Sequence, residues 1–382
     1  MKMKNVIFML LLILSVSCSS DGGPSGPIVG GPSDGDGNGD GGNGGNTNSI
    51  TYTPTASLKN TADFPIGTVV DANKLTSGSY ATFRTILNTE FNSVTAENQM
   101  KMAAMFTGPD SYNFSNGDAI ANYAKANGMR VHGHALIWHS SIPNWLQNFS
   151  GTDEEFAGQV ERYVKATVAH FATVKDGNGN SIVESWDVVN EAFTSDANNA
   201  VFRQRIGNDY VAKCFQWARE ADPNVKLFYN DYNLEWQGSK VADVINMVNN
   251  FKTNNIPIDG IGMQMHVDLT TSLSSLSSNL NELVNTGLLI HFSEMDLPVN
   301  KNKDITELTF ERASAQQQKY KEIVALFNAI PLAQQFGITL WGMRDPDSWL
   351  ISFLGNPNEW PLLFNANYEY KIAHKGFLEG LQ

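Results

Sequence analysis

The stretch Ile182-Val183-Glu184-Ser185-Trp186-Asp187-Val188-Val189-Asn190-Glu191 decides how the chain folds: a run rich in β-branched and aromatic residues, closed by an amide and a carboxylate. A short run of that composition reads as a buried strand. Similar runs lie at Phe64–Val70, Phe91–Ala96, Arg130–Leu136, Lys226–Tyr229, Gly260–Met265, Leu289–Phe292 and Ile338–Trp341. Between them, segments such as Glu155–Ala172, Val211–Ala221, Lys240–Phe251 and Phe310–Phe327 space their apolar residues as amphipathic helices do. Eight strands alternating with helices predict an α/β chain closed into a (β/α)8 TIM barrel. A doubly wound open sheet is the alternative. No glycine-rich phosphate loop follows the first strand, so a nucleotide-binding fold has little support.

The unusual polar residues cluster where the strands end. Glu97 and Asn98 close the second strand, and His134, Trp138 and His139 follow the third. Asn190 and Glu191 end the fourth, Asn230-Asp231-Tyr232 the fifth, Gln264 and His266 the sixth, Glu294 and Asp296 the seventh, and Trp341 the eighth. In a barrel all these ends open on one face, where active sites lie. Residues serving only the core would be scattered over both ends.

Two carboxylates have the setting that glycosidic cleavage demands. Glu191 leaves an apolar strand that would hold and desolvate it, and desolvation raises a carboxyl pKa toward the value a general acid needs. Asn190 beside it is placed to bond a sugar 2-hydroxyl, a contact that strengthens at an oxocarbenium-like transition state. Glu294 and Asp296, two residues apart, share one side of an extended strand. His266 is expected to bridge them, orienting Glu294 and keeping it ionised.

The same residues carry a resemblance. The blocks Thr95-Ala96-Glu97-Asn98-Gln99-Met100-Lys101, Gly133-His134-Ala135-Leu136-Ile137-Trp138-His139, Asp187-Val188-Val189-Asn190-Glu191-Ala192, Gly262-Met263-Gln264-Met265-His266 and Ser293-Glu294-Met295-Asp296 resemble the signatures of glycoside hydrolase family ten. That family consists mainly of endo-β-1,4-xylanases on a (β/α)8 barrel. The likeness runs in family order from about Phe64 to about Leu378.

It implies retaining double displacement on xylan or xylo-oligosaccharides, with Glu191 as acid/base and Glu294 as nucleophile. It further implies that Glu97, Asn98, Lys101, His134, Trp138, Asn190, Gln264, His266 and Trp341 line the glycone side, with Tyr232 and Trp349 as aromatic contacts flanking the cleft. An indole face at Trp341, close to C5 of the sugar, would disfavour a hydroxymethyl group and so favour xylose over glucose. No cofactor or metal is implied.

Three departures from the family pattern stand out. Ser141 replaces the usual Gln, removing a long donor to a glycone-side sugar. Arg344 replaces a Thr or another small residue. Asn365 and Ile372 stand where Asp and Pro are usual, and these two read as structural. A β-1,4-glucanase with the same two glutamates is the nearest rival function. A metal-dependent barrel hydrolase using His132 and His134 is another, although the pair follows the third strand and not the first. A non-catalytic carbohydrate-binding barrel would be expected to lose Glu191 or Glu294.

The N-terminal segment predicts export. Lys2 and Lys4 precede the apolar run Val6–Leu14, too short to span a bilayer but right for a signal peptide. Cys18 follows, the expected lipidation site of a lipoprotein in the cell envelope or at the cell surface, tied to the membrane only by that anchor. Residues 1–18 thus read as signal peptide, 19–50 as a Gly/Asp-rich flexible linker and 51–382 as the catalytic domain. Asp34, Asp36, Asn38 and Gly39 match the opening of an EF-hand loop, but Gly45 stands where its closing Glu belongs. The remaining cysteine, Cys214, lies in a helical pattern, so no disulfide scaffold is expected. A net charge of −13 disfavours nucleic acid as a partner, and a monomer is expected.

Overall fold

A computed structural model of the chain describes residues 49–198 and 200–382. Eight parallel strands form its centre: β1 (Ile66–Val70), β2 (Ser93–Ala96), β3 (Arg130–Gly133), β4 (Val183–Asn190), β5 (Lys226–Asp231), β6 (Gly260–Met263), β7 (Leu289–Met295) and β8 (Gln335–Leu340). Each pairs with its sequence neighbours, and β1 pairs with β8, which closes the ring. This closure bears out the barrel expected from the alternation and excludes the open sheet.

A principal helix follows each strand, with shorter ones beside some of them: α1 (Ala81–Glu90), α2 (Ser115–Ala126), α3 (Asp153–Phe171), α4 (Tyr210–Ala221), α5 (Gly238–Thr253), α6 (Leu273–Val284), α7 (Phe310–Asn328) and α8 (Ile372–Gly380). Local chemistry fixes where several begin. At α3 Thr152 accepts from the amide of Glu155 while the Glu155 carboxylate accepts from the amide of Thr152. Ser272 caps α6 and Thr309 caps α7 in the simpler one-sided way.

The strands are buried on both faces, as parallel strands under a helical layer must be. Glycines make room for large neighbours. A Cβ on Gly133 would sit 2.2 Å from Trp186, and one on Gly260 would sit 2.1 Å from Phe228. The barrel interior is not wholly apolar. Arg130 lies 3.9 Å from the Phe336 ring near the strand starts. Above it His132, Ser185, Asp187, His291 and Thr339 are all buried, with His132 Nδ1 2.7 Å from Ser185 Oγ and His291 Nε2 2.9 Å from Thr339 Oγ1.

The strand limits differ from expectation in instructive places. The third strand is expected to reach Leu136 but ends at Gly133. The chain then turns through a cis His134–Ala135 peptide and rejoins β4 only at Ile137 and Trp138. Its apolar residues stay buried through the turn, so hydrophobicity alone could not mark the break. β5 and β7 run further, to Asp231 and Met295, because their polar ends are paired inside the barrel mouth.

Candidate active site

Glu191 begins where β4 ends, with a φ of 59° that turns its side chain out of the strand. Trp138 Nε1 donates to its Oε2 at 2.7 Å, and Gln264 Nε2 donates to its Oε1 at 3.0 Å. Burial pushes the carboxyl up and the neighbouring Glu294 adds to this. The two donors oppose the shift without cancelling it, so Glu191 holds its proton above the usual carboxylate range.

Glu294 lies across the mouth near the end of β7 and is also buried. Asn230 Nδ2 donates to its Oε1 at 2.7 Å, and His266 Nε2 lies 3.4 Å from its Oε2. Burial pushes this carboxyl up too, but the His266 hydrogen bond and the fields of the His134 and His266 rings outweigh it. Glu294 therefore stays ionised below the usual range. His266 sits between two carboxylates, with Nδ1 3.0 Å from Asp296 Oδ2, and these partners hold its pKa well above the ordinary value despite its burial.

A bridge of amides joins the two glutamates. Asn190 Oδ1 accepts from Asn230 Nδ2 at 2.9 Å and from Gln264 Nε2 at 3.3 Å. The same two amide groups reach Glu294 and Glu191 respectively. One carboxyl with its pKa raised and one with its pKa lowered, facing a common cleft, is the arrangement required to protonate a leaving group while a nucleophile attacks.

The other expected residues surround this pair. Lys101 Nζ donates to Asn98 Oδ1 at 3.0 Å and lies 4.9 Å from the Trp138 ring. Burial lowers the Lys101 pKa, and burial raises that of Glu97, which feels both Lys74 and Lys101. The Trp341 ring stands 5.2 Å from that of His134, whose Nδ1 is 2.8 Å from Asp187 Oδ2. Trp349 Nε1 donates to Asp296 Oδ2 at 2.8 Å, and its ring is 5.1 Å from His266. Tyr232 is half-buried beneath Lys240 Nζ at 3.7 Å; burial and the nearby Glu191 carboxyl push its phenol up to about 12. Cys18 lies outside the described residues.

Two residues matter more to the site than their sequence context shows. In the sequence Asn230 only closes a strand, yet it links Glu294, Asn190 and Ser293, whose Oγ donates to Asn230 Oδ1 at 2.6 Å. Asp187 lies in the deciding stretch itself and holds both His134 and His132, the latter at 3.0 Å. Those contacts tie the His-x-His pair to a carboxylate within the barrel. Among the described residues no group of three or more His, Cys, Asp or Glu is arranged to hold a metal ion.

Two of the departures have visible partners. Arg344 turns its guanidinium onto Asp347 at 2.7 and 3.1 Å, donates to the carbonyl of Ala366 and covers the Tyr368 ring at 4.7 Å. It clamps one loop to another. Asn365 accepts from the amides of Asn367 and Glu369 and so closes a turn.

The model for glycosyl hydrolase family 10 matches residues 56–380. The chain is similar to the endo-β-1,4-xylanase Xyn10C of Cellvibrio japonicus, 37% identical over 348 residues that cover 84% of this chain and 56% of that one. It is also 36% identical to endo-1,4-β-xylanase A of Cellvibrio japonicus (strain Ueda107), covering 85% of this chain and 56% of the relative. It thus spans little more than half the length of either. A solved structure of a mutant xylanase 10C from Cellvibrio japonicus in complex with xylopentaose superposes with a TM-score of 0.79 at 34% identity, covering 87% of this chain and 70% of that one.

Proposed function

The chain belongs to glycosyl hydrolase family 10, and from that membership we propose that it is a retaining endo-β-1,4-xylanase with Glu191 as acid/base and Glu294 as nucleophile. The observation that carries this is the pairing of two buried carboxyls, shifted in opposite directions and joined by the Gln264–Asn190–Asn230 bridge. Glu294 attacks the anomeric carbon as Glu191 gives its proton to the departing glycosidic oxygen. The resulting glycosyl ester with Glu294 is opened by water, whose proton returns to Glu191. Asn190 is suited to bond the 2-hydroxyl as charge develops on the ring. Glu97, Asn98, Lys101, His134, Trp138 and Trp341 would hold the glycone, and Tyr232 and Trp349 would flank it.

One further proposal concerns the surroundings. Acylation at Cys18 would hold the enzyme at the cell envelope through its linker, a reading supported by Lys2, Lys4 and the apolar run before it. No helix among the described residues is long and apolar enough to cross a membrane.

The test is to incubate the protein with arabinoxylan, glucuronoxylan and carboxymethylcellulose, size the products and follow their anomeric configuration. Internal cleavage of the xylans with retention is expected. Glu294→Ala should be inactive, and azide should restore turnover as a glycosyl azide of inverted configuration. Inversion by the wild type, or cleavage of carboxymethylcellulose alone, would overturn the assignment.

A further inference from the structure

Glu235 lies in the turn between β5 and α5, carries no chemistry in the mechanism above, and is completely buried. Its Oε1 accepts from the backbone N–H of Met265 at 2.7 Å, while its Oε2 is buried without a hydrogen-bond partner. Met265 is itself buried and adopts a φ of 62°, a left-handed conformation that a long side chain does not favour. Something must hold it there.

Its neighbours show what the conformation achieves. Gln264, on one side, sets its amide on Glu191 Oε1 at 3.0 Å, and its backbone carbonyl accepts from the Glu294 amide at 2.9 Å. His266, on the other side, reaches Glu294 and Asp296. The two side chains point at different carboxylates because the backbone reverses at the residue between them.

We propose that Glu235 is a positioning residue for both catalytic carboxyls, holding the Met265 amide so that Gln264 stays on Glu191 and His266 stays on Glu294. Burial lifts its carboxyl to about 7, against the hydrogen bonds it accepts and the fields of His266 and Lys240. A group so costly to bury is retained for what it holds.

The proposal rests on the double-displacement reading, and the experiment separates the two. Wild type, Glu294→Ala, Glu235→Leu, Glu235→Asp and Glu235→Gln are assayed on xylohexaose for kcat, KM and the pH profile of kcat/KM, well below each melting temperature. Glu235→Leu removes the acceptor at similar volume, Glu235→Asp withdraws it by one methylene, and Glu235→Gln keeps an acceptor oxygen in reach. Leu should lower kcat roughly 10- to 100-fold, the scale of an ångström of misplacement, with KM little changed.

The profile gives the signature that a merely structural role would not. Loss of the Gln264 donor raises the Glu191 pKa, and a loosened His266 raises that of Glu294, so both limbs should move to higher pH. Asp should shift both limbs in the same direction by less, which decides the matter if the Leu variant does not fold. Gln should return kcat to within about threefold of wild type, the cost of one weakened hydrogen bond. Wild-type kcat and limbs in the folded Leu or Asp variant, or a Gln variant no better than Leu, would overturn the proposal alone. An inactive wild type, or an active Glu294→Ala, would overturn the parent reading and this one with it.

Discussion

Replacing Gly262 by Ala should damage catalysis as well as the fold. A Cβ at this position would lie 2.2 Å from Asn230 Oδ1 and 2.9 Å from its Cγ, where ordinary contact begins at 3.4 Å. Asn230 would have to retreat by about 1 Å. Its Nδ2 now sits 2.7 Å from Glu294 Oε1 and 2.9 Å from Asn190 Oδ1, so such a retreat takes both bonds beyond hydrogen-bonding range. Overpacking of this kind costs about 1–3 kcal/mol of stability. If Glu294, freed from Asn230, shifts by an ångström, the loss is on the order of 100-fold in rate, equivalent to about 2.7 kcal/mol of transition-state stabilisation.

Gly260→Ala is the internal control. It lies two residues earlier on the same strand, and its Cβ would meet Phe228 at 2.1 Å, but Phe228 packs on Phe336 in the lower barrel and touches neither glutamate. Thermal melts should show both variants destabilised to a similar degree. Steady-state kinetics on xylohexaose should show kcat/KM collapsing only for Gly262→Ala. Equal kcat/KM in the two variants would refute the role given to Asn230.

Other expectations follow from the same geometry. The pH profile of kcat/KM should be bell-shaped, falling on the acid side as Glu294 takes up a proton below the usual carboxylate range and on the alkaline side as Glu191 releases one above it. Trp138→Phe removes a donor that favours the Glu191 anion, so the alkaline limb should move to higher pH; a limb that stays in place would mean water replaces the indole N–H. Ser141→Gln should raise kcat/KM about threefold to tenfold on long xylo-oligosaccharides, the value of one neutral hydrogen bond, and less on short aryl xylosides. A drop confined to long substrates would show that the site is already compensated. Cys18→Ser, outside the described residues, should release the protein from the membrane fraction with kcat unchanged, and retention there would end the lipoprotein proposal.

Most of the fold was legible because strand ends in a barrel leave a chemical trace. A polar residue closing an apolar run is rare in a core and expected at the mouth, so the positions of Glu191, Gln264 and Glu294 along the strands could be read locally. What stayed hidden depends on contacts between distant segments. Asn230 looks like a strand terminator until the missing side chain at Gly262 is set beside it. Nothing beside Arg344 in sequence shows that its guanidinium reaches the Ala366 carbonyl and covers the Tyr368 ring. Glu235 follows Asn233 and Leu234 in a turn, where a carboxylate is ordinarily solvated, and nothing nearby in sequence shows that it is sealed inside. The break after Gly133 was invisible for the opposite reason, since the residues that turn are as apolar as those that extend.

The closure of β1 against β8 has a consequence for how the molecule comes into being. Ile66 pairs with Ile338, and the segment before β1 is tied to the chain's last elements by Tyr52 N–H to the Tyr370 carbonyl at 3.0 Å and by the Tyr52 hydroxyl to His374 Nδ1 at 2.6 Å. The first and last parts of the domain must therefore meet, a contact of high sequence separation that chains form slowly. Glu97 is supplied by the early part and Trp341 and Trp349 by the late part. Refolding should restore helix content before turnover, so hydrolysis reports the final joining of the ends, and two fragments divided between α4 and β5 should be silent alone and regain activity only when mixed.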